Sequence, residues 1–184
     1  MMITRSIGVA LALMTTLLVG CGTNGKIDGA APLVAVDELD LERYAGRWYE
    51  IARYPTSFQR GLVGVTAEYT LQDDGRIHVV NTGHKATLDG PRRSATAKAW
   101  RPDPAKAGEL NVRFFWPFTG SYWVIDLDPD YQWAMVGERS RNYLWILSRT
   151  PELSDETVEA LMDSATALGY RTDLLTWTPQ PPGG

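Results

Sequence analysis

The chain has one cysteine and two histidines among its 184 residues. A single cysteine excludes an internal disulfide, so the fold must be held by packing alone. His78 and His84 fall six residues apart in what reads as one strand. A regular strand would separate them by ~20 Å, too far to share a metal. The sequence has no Gly-x-Ser-x-Gly elbow, no phosphate-binding glycine loop and no His-Glu-x-x-His helix. Nor is there a basic block: the formal net charge is −4, with signs interspersed, which argues against nucleic acid as a partner. Asp73-Asp74 sits beside Gly75 in a hairpin signal, where solvated turn chemistry accounts for it. The expectation is therefore no metal, no cofactor and no enzyme, in one domain with a sizeable core.

What is present begins with an export signal. Arg5 is followed by an uncharged, mostly apolar run over residues 7–19, shorter than the ~20 residues of a membrane-spanning helix. It ends in Leu18-Val19-Gly20-Cys21, which resembles the bacterial lipobox. That resemblance implies cleavage after residue 20, lipidation of Cys21 and, with Gly22 rather than aspartate next to it, an outer-membrane lipoprotein. Several acyl chains on one residue make a durable anchor, each buried methylene contributing ~0.8 kcal/mol. Residues 1–20 are read as the signal peptide and 21–38, which lack sustained periodicity, as a lipidated tether.

From Gly46 onward the chain breaks into short segments of period two, separated by turn residues. The expected strands are 48–54, 65–71, 77–83, 93–100, 110–116, 122–127, 131–137 and 143–148, with a short helical turn over 39–44 before them. Short connections favour an antiparallel meander, and eight such strands can close on themselves, which removes exposed edges. Val158, Leu161, Met162, Ala165 and Leu168 form one apolar stripe of a helix over about 154–168, with Ser154 as N-cap and Gly169 as its stop. A final strand is expected at about 171–177. The fold class is all-β: an eight-stranded antiparallel up-and-down barrel over residues 39–180, with a C-terminal helix packed outside.

Seven tryptophans and eight tyrosines are distributed over these strands. They can fill the interior; alternatively, a barrel of eight strands is about the size that holds one small ligand. Glu50 shares parity with Trp48. Pointing inward and buried, it needs a partner or a raised pKa; a surface salt bridge is the other reading.

The strand motifs resemble the lipocalin family. Gly46-Arg47-Trp48-Tyr49-Glu50-Ile51-Ala52-Arg53 is similar to the first lipocalin signature, in the form found in the subgroup that includes apolipoprotein D. Asp128-Pro129-Asp130-Tyr131 resembles the second, with Pro129 in place of the usual threonine, and Tyr143 to Pro151 resembles the third, anchored by Arg149. Phe58-Gln59-Arg60-Gly61-Leu62 and Trp177-Thr178-Pro179-Gln180 sharpen the resemblance to the bacterial lipocalins, which are outer-membrane lipoproteins. It implies that Gly46, Trp48 and Arg149 close one end of the barrel, the cation lying over the indole. Counting by twos back from Arg149 places Leu147, Trp145 and Tyr143 inside the barrel, and the resemblance adds Tyr69, Asn81 and Trp123 to the ligand wall with Phe114 nearby, Tyr69 and Asn81 orienting a polar head at the mouth. The expected function is binding, transport or storage of a fatty acid or lysophospholipid in the bacterial envelope, on the periplasmic side of the outer membrane. A lipid-modifying enzyme in the same barrel and a structural envelope lipoprotein are the alternatives. A homodimer is left open by the sequence.

Overall fold

Apolar–polar alternation makes strands, and their order along the chain makes the sheet. A computed structural model describes residues 25–182; the signal peptide and Cys21 lie outside the described residues. A single helical turn, α1 (Leu41–Tyr44), leads into β1 (Gly46–Arg53), β2 (Leu62–Leu71), β3 (Ile77–Lys85), β4 (Arg92–Trp100), β5 (Glu109–Phe115), β6 (Phe118–Leu127), β7 (Trp133–Gly137) and β8 (Leu144–Ser148). Helix α2 (Asp155–Ala167), a 3-10 turn (Thr172–Leu174) and the two-residue β9 (Thr176–Trp177) follow. Each strand from β2 to β7 pairs antiparallel with the next, and β1 closes the cylinder between β8 and β2. Its first half pairs with β2, from Gly46↔Tyr69 to Tyr49↔Thr66, and its second half with β8 and β9.

Alternation sorts the apolar residues into two clusters. Ala67 and Tyr69 of β2 face inward with Val79, Ala97, Leu110 and Val136, and Val65 lines the same interior. The outer faces of β6, β7 and β8 supply Ile125, Met135 and Ile146, which meet Leu161 and Ala165 of α2. That helix starts where the Ser154 side chain accepts the Thr157 N–H, with Asp155 and Glu156 at its positive end. It stops at Gly169, whose φ of +84° suits glycine. There the Tyr170 N–H reaches the Ala165 carbonyl and the Gly169 N–H that of Thr166, the pairing of a Schellman motif.

Three segments differ from the sequence reading. The stretch 25–38, read as tether, is laid against the barrel: Leu33 is buried, the Ile27 N–H donates to the Gly169 carbonyl (2.8 Å) and the Val36 N–H to that of Val124 (2.8 Å). The final strand shrinks to two residues because Leu174 and Leu175 donate their N–H groups back to Arg171 and Thr172 in a local turn. Strand β7 begins at Trp133 because the Asp128 carboxylate captures the N–H groups of Asp130 and Gln132, holding Tyr131 at a φ of +60°.

Candidate functional site

The three signature segments meet at one end of the barrel. Trp48 is fully buried, donates its indole N–H to the Tyr44 carbonyl (2.8 Å) and lies under the Arg149 guanidinium, 3.7 Å from the ring centroid. Arg149 also donates to the carbonyls of Arg47 (2.8 Å), Arg43 (2.7 Å) and Tyr131 (3.2 Å). One side chain thus ties β1, α1 and the turn before β7 to the end of β8. Gly46 has a φ of +90°, so the turn into β1 requires glycine there for its backbone rather than for space.

Above this floor the barrel encloses a cavity of about 1340 Å³ that opens at the opposite end. Ile77, Val79, Leu110, Val112, Val136 and Leu147 contribute apolar wall. Three tyrosine hydroxyls gather at the base: Tyr44 and Tyr122 are 2.7 Å apart, Tyr69 and Tyr122 3.0 Å. Three O–H hydrogens and two mutual bonds leave one hydrogen for an acceptor supplied from the cavity. Burial raises all three phenol pKa values, that of Tyr69 to about 12, so the cluster stays neutral and donating at physiological pH. Halfway up, the buried Asn81 carbonyl oxygen has no protein partner.

A buried polar network braces the wall nearer the mouth. Glu50 and Arg53 would point to opposite faces of a regular strand, but the β1–β8 register slips between Glu50 and Ala52. That bulge turns Ile51 and Ala52 both outward and returns Arg53 to the side of Glu50. Arg53 donates to Glu50 (3.1 Å), as do the Thr178 hydroxyl (2.7 Å) and the Gln59 amide (2.6 Å). Gln59 in turn accepts the Trp145 indole N–H (3.0 Å). Gln180 donates to the carbonyls of both Glu50 (2.8 Å) and Val65 (2.9 Å), a clasp across the β1–β2 seam. Desolvation raises the Glu50 pKa despite the opposing pull of Thr178, Arg53 and Gln59. Both carboxylate oxygens are committed to protein donors, which suits bracing rather than attack on a substrate.

A model of the lipocalin-like domain matches residues 39–180. The chain is a lipocalin. It is 41% identical over 173 residues to the outer membrane lipoprotein Blc of Citrobacter freundii, covering 94% of this chain and 96% of that protein. It is 44% identical over 154 residues to temperature-induced lipocalin-1 of Arabidopsis thaliana, covering 79% and 81%. Among solved structures, insecticyanin from the tobacco hornworm Manduca sexta superposes with a TM-score of 0.67 at 19% identity, over 86% of this chain and 91% of that one, a likeness of fold.

In this lipocalin the cavity wall includes Tyr69, Asn81, Phe114, Tyr143, Trp145 and Leu147. Trp123 is not among them and corrects the sequence reading. Tyr122 pairs with Leu110 and faces inward, so pleating turns Trp123 to the outer cluster under α2. Tyr69 is also lower than expected: paired with Gly46, it belongs to the floor and not to the mouth. Tyr143 stacks on Trp145 with centroids 5.6 Å apart and marks the rim with Phe114. Tyr44, Tyr122 and Gln59 were missed as site residues. Alternation through Leu110, Val112 and Phe114 could have found Tyr122; nothing local signals Tyr44, which sits on a single helical turn. His78 and His84 lie on the outward positions of β3, and the described residues gather no metal-binding group of three or more His, Cys, Asp or Glu.

Proposed function

We propose that this lipocalin binds a small hydrophobic or amphiphilic molecule of the fatty acid or lysophospholipid class and carries or stores it in the bacterial envelope. The observation that carries the reading is the open-ended, largely apolar cavity of about 1340 Å³, which exceeds the roughly 300–1,000 Å³ of ordinary small-molecule pockets. A structural barrel filled with its own side chains would have no such space. Burying a 16-carbon chain at ~0.8 kcal/mol per methylene offers more than ~10 kcal/mol gross. Immobilisation and desolvation leave an affinity in the micromolar range or somewhat tighter. The free tyrosine hydrogen at the floor and the Asn81 oxygen on the wall supply a donor and an acceptor for a polar group. The name of the Citrobacter freundii relative and the lipobox ending at Cys21 support an outer-membrane lipoprotein anchored through that cysteine, and we place the barrel on the periplasmic side.

Quenching of tryptophan fluorescence by palmitate and by a lysophospholipid tests this. Saturable one-to-one quenching is expected for the wild type. Ala95→Trp, which fills space on the upper wall, should weaken binding by roughly tenfold or more with an unchanged melting curve. Absence of saturable quenching by any acyl ligand would overturn the proposal.

A further inference from the structure

The floor of the cavity holds a hydrogen-bond donor in apolar surroundings. The Tyr122 hydroxyl stands at the centre of a chain, 2.7 Å from that of Tyr44 and 3.0 Å from that of Tyr69. Two mutual bonds take two of the three hydrogens, so one hydrogen and several lone pairs remain. Tyr44 is sealed at 1% exposure, whereas Tyr69 and Tyr122 keep surface on the cavity. Ile77, Val79, Leu110 and Val136 pack in the same cluster and offer no acceptor. A saturated hydrocarbon tail pressed onto this floor would shut out water and leave the spare hydrogen unpaired. A buried donor in that state costs more than an ordinary hydrogen bond contributes.

A second polar atom waits just above. Asn81 lines the cavity, and its buried carbonyl oxygen has no protein partner. It lies two residues along β3 from Val79, the partner of Tyr69, which is about 7 Å up the strand. One hydroxyl group both accepts and donates, so it can answer the tyrosines and Asn81 together.

Charge keeps an acid away from this floor. Arg149, under Trp48, has committed its N–H groups to three backbone carbonyls. A carboxylate among the tyrosines would therefore be buried without a counter-charge. Arg60, Lys85 and Arg93 line the cavity at its open end and suit an anionic head. Six residues of β3 separate Val79 from Lys85. That is roughly 20 Å along the strand and about 15 Å along the axis of a tilted barrel, a span for an acyl chain between two polar ends.

We propose that the preferred ligand is a hydroxylated acyl chain, with its anionic head at the mouth and a neutral hydroxyl near the far end of the tail, received by Tyr69, Tyr122 and Asn81. This rests on the lipid-binding reading and narrows it to one class of lipid. An unmodified fatty acid enters the same space but leaves the floor unsatisfied, and a site built around a hydroxyl discriminates against the analogue that lacks it.

Native mass spectrometry of the protein purified from membranes, stripped of lipid and offered equimolar pairs of acids, reads the preference as a ratio of bound species. Against palmitate, 16-hydroxypalmitate should be favoured by roughly tenfold. The 2-hydroxy isomer, whose hydroxyl stays beside the head, should show a ratio near one. Hexadecanedioate, which brings a second carboxylate to the floor, should lose to palmitate by roughly tenfold or more. In Tyr69→Phe/Tyr122→Phe the preference for 16-hydroxypalmitate should fall towards one. The wild-type series decides the matter even where that variant fails to fold. Equal uptake of palmitate and 16-hydroxypalmitate would overturn the proposal while leaving the lipid-binding reading in place. So would an equal gain for the 2-hydroxy isomer, or a preference that survives in the folded double variant. A barrel that takes up none of these acids would overturn both.

Discussion

Arg149 contributes more to the fold than any single contact suggests. Its guanidinium uses one face on Trp48 and its N–H groups on three backbone carbonyls. A cation over an indole is worth ~0.5–2 kcal/mol, and hydrogen bonds from a charged donor ~1.5–3 kcal/mol. Arg149→Ala should therefore destabilise the protein by about 2–4 kcal/mol in urea unfolding, with much less effect on ligand affinity. Lysine should not restore it, because a point charge cannot span three carbonyls while stacking. A Trp48→Ala/Arg149→Ala double variant that stays stable yet loses ligand would contradict the closing role. This part of the molecule was legible through the family resemblance, since Trp48 and Arg149 sit in segments similar to the first and third lipocalin signatures.

At the scale of elements, the β1 bulge and the C-terminal strap decide how the mouth is braced. Glu50 joins β1, the β1–β2 connection and Thr178 through one buried carboxylate, and its backbone carbonyl accepts from Gln180. Because burial holds its folded-state pKa above the unfolded value, its contribution to stability is complete below the ordinary carboxylate range and is lost as pH rises through the folded pKa. Wild-type stability relative to Glu50→Gln should accordingly fall as pH rises above the ordinary carboxylate range. A difference that grew with pH there would mean that Arg53, Thr178 and Gln59 outweigh desolvation. Alternation in the sequence placed the eight strands to within a few residues at each end. It did not show the bulge, because Ile51 and Ala52 both look like ordinary strand residues until β8 is laid beside them. The packing of 25–38 was equally hidden: Ile27 and Val36 have no periodic neighbours, and their partners, Gly169 at the end of α2 and Val124, lie far along the chain.

For the whole molecule, closure leaves no continuous sheet edge, places one apolar set inside and another under α2, and leaves the interior incompletely filled. Trp123 shows why the interior could be only partly read beforehand. The family resemblance implies a wall position for Trp123, but a pleated strand gives adjacent residues to opposite faces, and Tyr122 takes the inner one. The proposed occupant of the remaining space is a lipid. Native mass spectrometry of the protein purified from its own membranes tests this most directly. A bound species with the mass of a fatty acid or lysophospholipid, one per barrel, stripped by solvent and depleted in Ala95→Trp, is the predicted result. A barrel that carries no lipid, and takes up none when it is supplied, would contradict the account.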